Sequence, residues 1–186
     1  MTKRFFTMLL ILAPLGCGSD SESANPTTDG GEAKKSAASP LASITLAEDP
    51  GEALAISAAR DAEAGQDIVV VGRIDKIVTG YASFTLTDIA LDYCGQVESE
   101  DGCKTPWDYC CIPSEEKAAA TLMVMVDAAD GVGAIEAEEV PGLRLLDAVV
   151  VKGKLSKDEF GNVIVHAAGW FKRERPNLRE GLHWPG

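Results

Sequence analysis

Four cysteines lie within eighteen residues of this 186-residue chain: Cys94, Cys103 and the adjacent pair Cys110 and Cys111. The spacing Cys-x8-Cys-x6-Cys-Cys gathers one polar stretch onto itself, whatever surrounds it. In an oxidising compartment an even number of clustered cysteines reads first as disulfides. A bond between neighbours in sequence is strained, so Cys94 and Cys103 are expected to pair separately with Cys110 and Cys111. Two such crosslinks, at about 2–4 kcal/mol each, make a polar loop rigid. The alternative is a metal site, because four thiolates suit zinc or another soft ion in a tetrahedron. Against it, the chain has no Cys-x2-Cys knuckle, and adjacent cysteines share one ion less easily; Asp92 and Asp108 offer nearby oxygens. A reactive vicinal thiol pair is a third reading. The absence of Cys-x-x-Cys argues against a thioredoxin-like role, and the absence of Cys-x-x-Cys-His excludes covalent haem.

The compartment is read from the other end of the chain. Lys3 and Arg4 precede an apolar run, Phe5 to Leu15, which is too short to span a bilayer of about 30 Å as a helix. Small Gly16 then precedes the fifth cysteine, Cys17. Pro14-Leu15-Gly16-Cys17 resembles the lipobox of bacterial lipoproteins, with Pro14 and Leu15 in its first two positions. The resemblance implies a signal peptide over residues 1–17 and an acyl chain, palmitate-like, on Cys17. An exported, envelope-located protein follows, held to the membrane by its lipid alone or released into the periplasm.

Residues 18–48 are expected to form a disordered polar tether, because Ser, Gly, Asp, Glu and Thr dominate after Cys17. A single domain is expected over residues 49–175, with residues 176–186 a loose tail. The formal net charge is −12, and residues 66–175 hold 11 Lys/Arg against 19 Asp/Glu. Such a surface repels phosphate backbones and anionic headgroups, so neither nucleic acid nor a lipid surface is an expected partner.

One helix and five strands are expected. Asp49-Pro50-Gly51-Glu52 has the capping residue, the early proline and the acid of a helix start, and Leu54, Ala55, Ala58, Ala59 and Ala62 follow at helical spacing to a stop at Gly65. Strands are predicted over Asp67–Val78, with a bulge or bend at Gly72, and over Tyr81–Ile89, Thr121–Val126, Leu145–Leu155 and Val163–Phe171. Asp158 to Asn162 makes a hairpin turn, and a short helix fits around Ala134 to Glu139.

Three stretches resemble the OB-fold superfamily: Val70-Val71-Gly72-Arg73-Ile74 its first strand, Ala82 to Asp88 its second, and Val149 to Leu155 with Gly161 to Val165 its last hairpin. The resemblance covers about 105 residues and implies a mainly β, five-stranded barrel with an N-terminal helix. OB-folds usually join strands two and three by a short connection. Here about thirty residues intervene, with the Cys-rich loop at 92–114. Thr105-Pro106-Trp107-Asp108-Tyr109-Cys110-Cys111 is similar to a run in a family of exported bacterial proteins of this kind, which implies a family and no activity.

Tyr93, Trp107 and Tyr109 flank the cysteines and are candidate contact groups, rigid and large; the structural alternative has Trp107 covering the barrel mouth. His166 falls within the fifth strand, where a hydrogen-bonded structural histidine is expected, and His183 lies in the tail. No catalytic grouping is visible at sequence spacing, and no phosphate-cradling or nucleophile motif is present. Two function classes remain. The first is a non-catalytic, lipid-tethered envelope module without a cofactor, whose loop contacts a protein, peptide or glycan. The second is a metal-binding or thiol-redox protein using the four cysteines.

Overall fold

A computed structural model describes residues 40–96, 105–128, 142–178 and 180–184, all within the unit Ser36–Gly186. The signal segment, Cys17, most of the tether, Cys103 and the helix expected near residues 134–139 lie outside the described residues.

The described elements are α1 (Pro40–Ser43), α2 (Ile56–Asp61), β1 (Asp67–Ile77), β2 (Ser83–Thr87), α3 (Ser114–Ala119), β3 (Thr121–Met125), β4 (Ala148–Lys157) and β5 (Val163–Lys172). The five strands close into a barrel in the order β1-β2-β3-β5-β4. All neighbours are antiparallel except β3 and β5, which run parallel with Val124 opposite Val165. That order, with its one parallel closure, is an OB-type barrel. The eleven residues of β1 serve both halves: Asp67 to Arg73 pairs with β4, and Arg73 to Ile77 pairs with β2.

The core follows from strand alternation. Val70, Ile74, Phe84, Leu86, Leu122, Val124, Val149, Val151, Leu155 and Val165 point inward and are buried. Gly72 is the exception on the inward row. The register shift of β1 lies between Ile74 and Lys76, not at Gly72 as expected. A Cβ on Gly72 would stand 2.8 Å from Ile56 Cδ1 and 2.9 Å from Thr87 O. Glycine is there to let α2 lie against the barrel.

The helix at its entrance is shorter than the spacing predicted. Asp49 Oδ1 accepts the Gly51 N–H at 2.8 Å, and Gly51 takes φ +89°, which closes a turn instead of starting a helix. Arg173 clamps the same carboxylate at 2.7 and 3.0 Å and holds its pKa below the ordinary value. Leu54 then joins the sheet edge, its N–H donating to Val69 O and its carbonyl accepting Val71 N–H. Only after that does the chain turn helical, burying Ile56 and Ala59.

Two expected boundaries are corrected. The tether does not run to residue 48, because Leu41 is fully buried in the barrel core and its carbonyl accepts the Trp170 indole N–H at 2.6 Å. Leu46 N–H donates to Trp170 O, so the segment 40–48 is strapped across β5. Nor is the C-terminal segment loose where it is described. Leu178 and Trp184 pack against buried Tyr93, Tyr109 and Leu146, and Arg175 stacks 3.5 Å from the Trp184 ring centroid. In both segments a few large apolar side chains outweigh the polar composition around them.

The β4–β5 turn is closed by Asp158, whose Oδ1 accepts the backbone N–H of Phe160 at 2.9 Å and of Asn162 at 2.8 Å. Its Oδ2 accepts the Asn162 side-chain amide, and these donors hold its pKa below the ordinary 3.8. The native carboxylate therefore takes up protons less readily than the unfolded one. Its contribution is complete above the unfolded pKa and is lost as pH falls through the folded value. Asp158→Asn is expected to flatten this part of the acid-unfolding curve, and comparing the two proteins' urea midpoints between pH 5 and pH 2 checks it.

Candidate functional site

The connection between β2 and β3 is anchored at its start by Asp88. This nearly buried carboxylate accepts Ser57 N–H at 3.2 Å and Ala90 N–H at 2.9 Å, while its own N–H donates to Ala120 O. The start of α2, the loop entrance and the end of α3 are thereby held together. α3 was not foreseen from sequence. It is one and a half turns of Ser, Glu, Lys and Ala with no buried residue, so it carries no hydrophobic periodicity to read.

Beyond Leu91 the chain pairs with itself. Cys94 N–H donates to Asp108 O at 2.8 Å and Gly95 N–H to Pro106 O at 2.7 Å. A Cβ on Gly95 would meet Pro106 O at 2.6 Å, so no other residue permits this approach. Asp108 Oδ1 accepts Tyr109 N–H, and Ile112 N–H returns to Tyr109 O, placing Cys110 and Cys111 in one tight turn.

The turn explains why two adjacent cysteines converge. Extended neighbours point to opposite sides, but here both thiols reach the nearly buried Cys94. Its Sγ lies 3.3 Å from that of Cys110 and 3.6 Å from that of Cys111, and the remaining edge is 3.9 Å. These separations exceed the length of a disulfide, about 2.05 Å. Cys110 and Cys111 are exposed, and the triangle opens to solvent. The three sulfurs are grouped as metal ligands are, within 4.8 Å of one another. Asp92, an oxygen donor on the sequence reading, instead accepts from the Gln96 amide at 2.6 Å, and Asp108 is taken up by Tyr109 N–H.

Two of the three flanking aromatics, Tyr93 and Tyr109, do not face solvent. Tyr93 and Tyr109 are 3% and 1% exposed and form a second small core with Leu146; Trp107 packs on it half-buried. Tyr93 and Tyr109 are thus corrected from contact groups to packing groups, because the C-terminal segment covers them. The Tyr93 hydroxyl donates to Asn177 O at 3.1 Å. Arg73 lies 5.2 Å from the Tyr93 ring centroid and Lys117 5.4 Å from that of Tyr109. Burial pushes the Tyr109 phenol up to about 12, opposed by the nearby Arg73 charge. Lys117 is also paired with Asp75 at 2.9 Å, which ties α3 to β1.

A second polar grouping lies on the outer face of the barrel. His166 of β5 bonds Ser156 of β4 through Nε2 at 2.7 Å, and Asp127, two residues past β3, through Nδ1 at 2.7 and 2.9 Å. His166 is hydrogen-bonded, as expected of it, but its two partners were not foreseen. They lie 10 and 39 residues away in sequence, and only the parallel β3–β5 contact brings the end of β3 beside His166.

Strand order and register define the class of the domain, an OB-type barrel with a Cys-rich insertion between β2 and β3. No family model matches the chain, and no curated protein matches it. Among solved structures it is similar to the hypothetical protein ygiW from E. coli, at 12% identity and a TM-score of 0.38, over 67% of this chain and 94% of that one.

Proposed function

We propose that this protein is an exported OB-barrel module that binds a soft divalent metal, zinc by preference, through the thiolates of Cys94, Cys110 and Cys111. The triangle of sulfurs carries the reading. Thiolates at about 2.3 Å from a tetrahedral zinc stand about 3.8 Å from one another. The observed edges of 3.3, 3.6 and 3.9 Å bracket that value. The metal fastens the turn at 110–111 to the turn at 93–96, and with it the small core of Tyr93, Tyr109 and Leu146. What the fastened loop offers an envelope protein, peptide or glycan is a fixed shape, anchored to the membrane by a lipid on Cys17.

The expected result is one zinc per chain by elemental analysis of protein isolated without chelator. Replacement with Co2+ is expected to give an intense thiolate-to-metal absorption, whose intensity counts the thiolates and so reports on Cys103. Cys94→Ser should abolish stoichiometric binding, and a mercurial reagent should release the ion. Metal-free protein whose cysteines titrate as thiols only after reduction would instead establish the disulfide-stapled module and overturn the metal reading.

A further inference from the structure

Ser156, His166 and Asp127 are joined in series by short hydrogen bonds, and they border an open cleft of about 510 Å³ together with Gly65, Lys154 and Leu155. With His166 neutral, the series selects one tautomer. An ionised carboxylate only accepts, so a neutral His166 carries its proton on Nδ1 and donates it to Asp127. Nε2 is then a bare lone pair, and the atom 2.7 Å from it is the Ser156 hydroxyl, which must donate. Both oxygens of Asp127 lie within 2.9 Å of Nδ1, which holds the ring orientation as well as the tautomer. A hydroxyl donating to an imidazole that is oriented by a carboxylate is the geometry of an activated serine.

The surroundings add two features. Lys154 and Ser156 are two residues apart on β4 and share its outer face, and Lys154 sits directly across the ladder from His166. Its ammonium is held by Gly65 O at 3.2 Å and lies 3.5 Å from Asp67. A cation therefore lines the same cleft as Ser156. The Ser156 and His166 side chains stand on neighbouring strands of a closed sheet, so their separation is set by the barrel and not by a mobile loop.

We infer that Ser156 is a nucleophile toward small carboxylic esters, with His166 as its general base and Asp127 as a positioning residue. Ser156 Oγ attacks the ester carbonyl carbon as its proton passes to His166 Nε2. The ester C–O bond breaks, and the alcohol departs with that proton. Water then attacks the acyl-serine, giving one proton to Nε2; the acyl–Oγ bond breaks, Oγ recovers the proton, and the carboxylic acid leaves. The open cleft admits short acyl groups and provides no deep pocket for long ones.

The test uses the full chain and two probes, a fluorophosphonate and p-nitrophenyl acetate. Fluorophosphonate forms a P–O bond to an activated serine and expels fluoride, and peptide mass spectrometry locates it. Ser156 is expected to be modified once per chain, at least about 100-fold faster than the chain's other serines. His166→Gln should lower that rate by about 100-fold or more, and ester turnover with it. Asp127→Asn should lower the labelling rate about 10-fold at an unchanged thermal midpoint, with partial rescue by Asp127→Glu; a purely structural role would move the midpoint and not the rate. Ser156 labelled no faster than the other serines of the folded wild-type chain overturns the inference without reference to any variant.

Discussion

Gly153→Ala is expected to lower the stability of the barrel by about 3 kcal/mol, at the upper end of ordinary overpacking. Gly153 lies in the middle of β4, where the ladder with β5 shifts register between Lys152 and Gly153. A Cβ there would press into His166 O and stand 2.9 Å from His166 C and 3.1 Å from Ala167 Cα. All three are backbone atoms, so no side chain can swing aside. In a strand that had room for it, alanine would gain roughly 0.5–1 kcal/mol over glycine by restricting the unfolded chain. The steric term is larger and of opposite sign. The measurement is the urea midpoint of Gly153→Ala at an unchanged m-value. An unaltered or higher midpoint would mean that the two strands separate at little cost, which a closed barrel does not allow.

Asp147→Ala is expected to cost a similar amount, about 3 kcal/mol, by a different route. Asp147 is fully buried where the chain enters β4. Its carboxylate accepts Arg144 N–H at 2.8 Å and pairs with Lys172 at 2.7 Å, with Arg175 at 3.7 Å. Lys172 is 39% exposed and can return to water, so its loss is screened. Arg175 is 17% exposed and Arg144 N–H is fixed in the turn, and both are left without this acceptor; Arg175 retains Leu145 O. The same turn holds Leu146 at φ 63°, an unusual backbone for a non-glycine residue, with its side chain in the centre of the small core. Removing Asp147 therefore releases Leu146 and loosens the site as well as the barrel. Asp147→Asn keeps an acceptor for Arg144 N–H and is expected to cost about half as much. Thermal melts of the two variants check the order. Equal stability of Asp147→Ala and wild type would show that the buried carboxylate holds nothing.

The strands were legible because each reads locally. Phe84 and Leu86 alternate with Ser83, Thr85 and Thr87, and the runs at 67–77 and 148–157 are dense in Val and Ile. Strand existence is a property of six or eight neighbours, and the observed bounds of β1, β3 and β5 fall within one residue of the predicted ones. Entry to α2 was misread because Asp49, Pro50 and Gly51 satisfy the chemistry of a helix cap and of a turn alike. Arg173, 124 residues away, helps to hold the turn. The tail and strap were misread because composition averages over many polar residues, while Leu41, Leu178 and Trp184 each find a partner that averaging hides.

By itself the sequence determined the five strands, the position of the insertion and the gathering of cysteines within it, since all three follow from local pattern and spacing; the barrel they form was implied by the resemblance to the OB-fold superfamily. Only the tertiary structure decided what those residues do. It turned Tyr93 and Tyr109 inward by laying the C-terminal segment over them, converged Cys110 and Cys111 on Cys94 through one tight turn, and set Asp127 and Ser156 on either side of His166. Each outcome depends on contacts between distant segments, whose free energy is gained only when the barrel closes, and no local pattern records them.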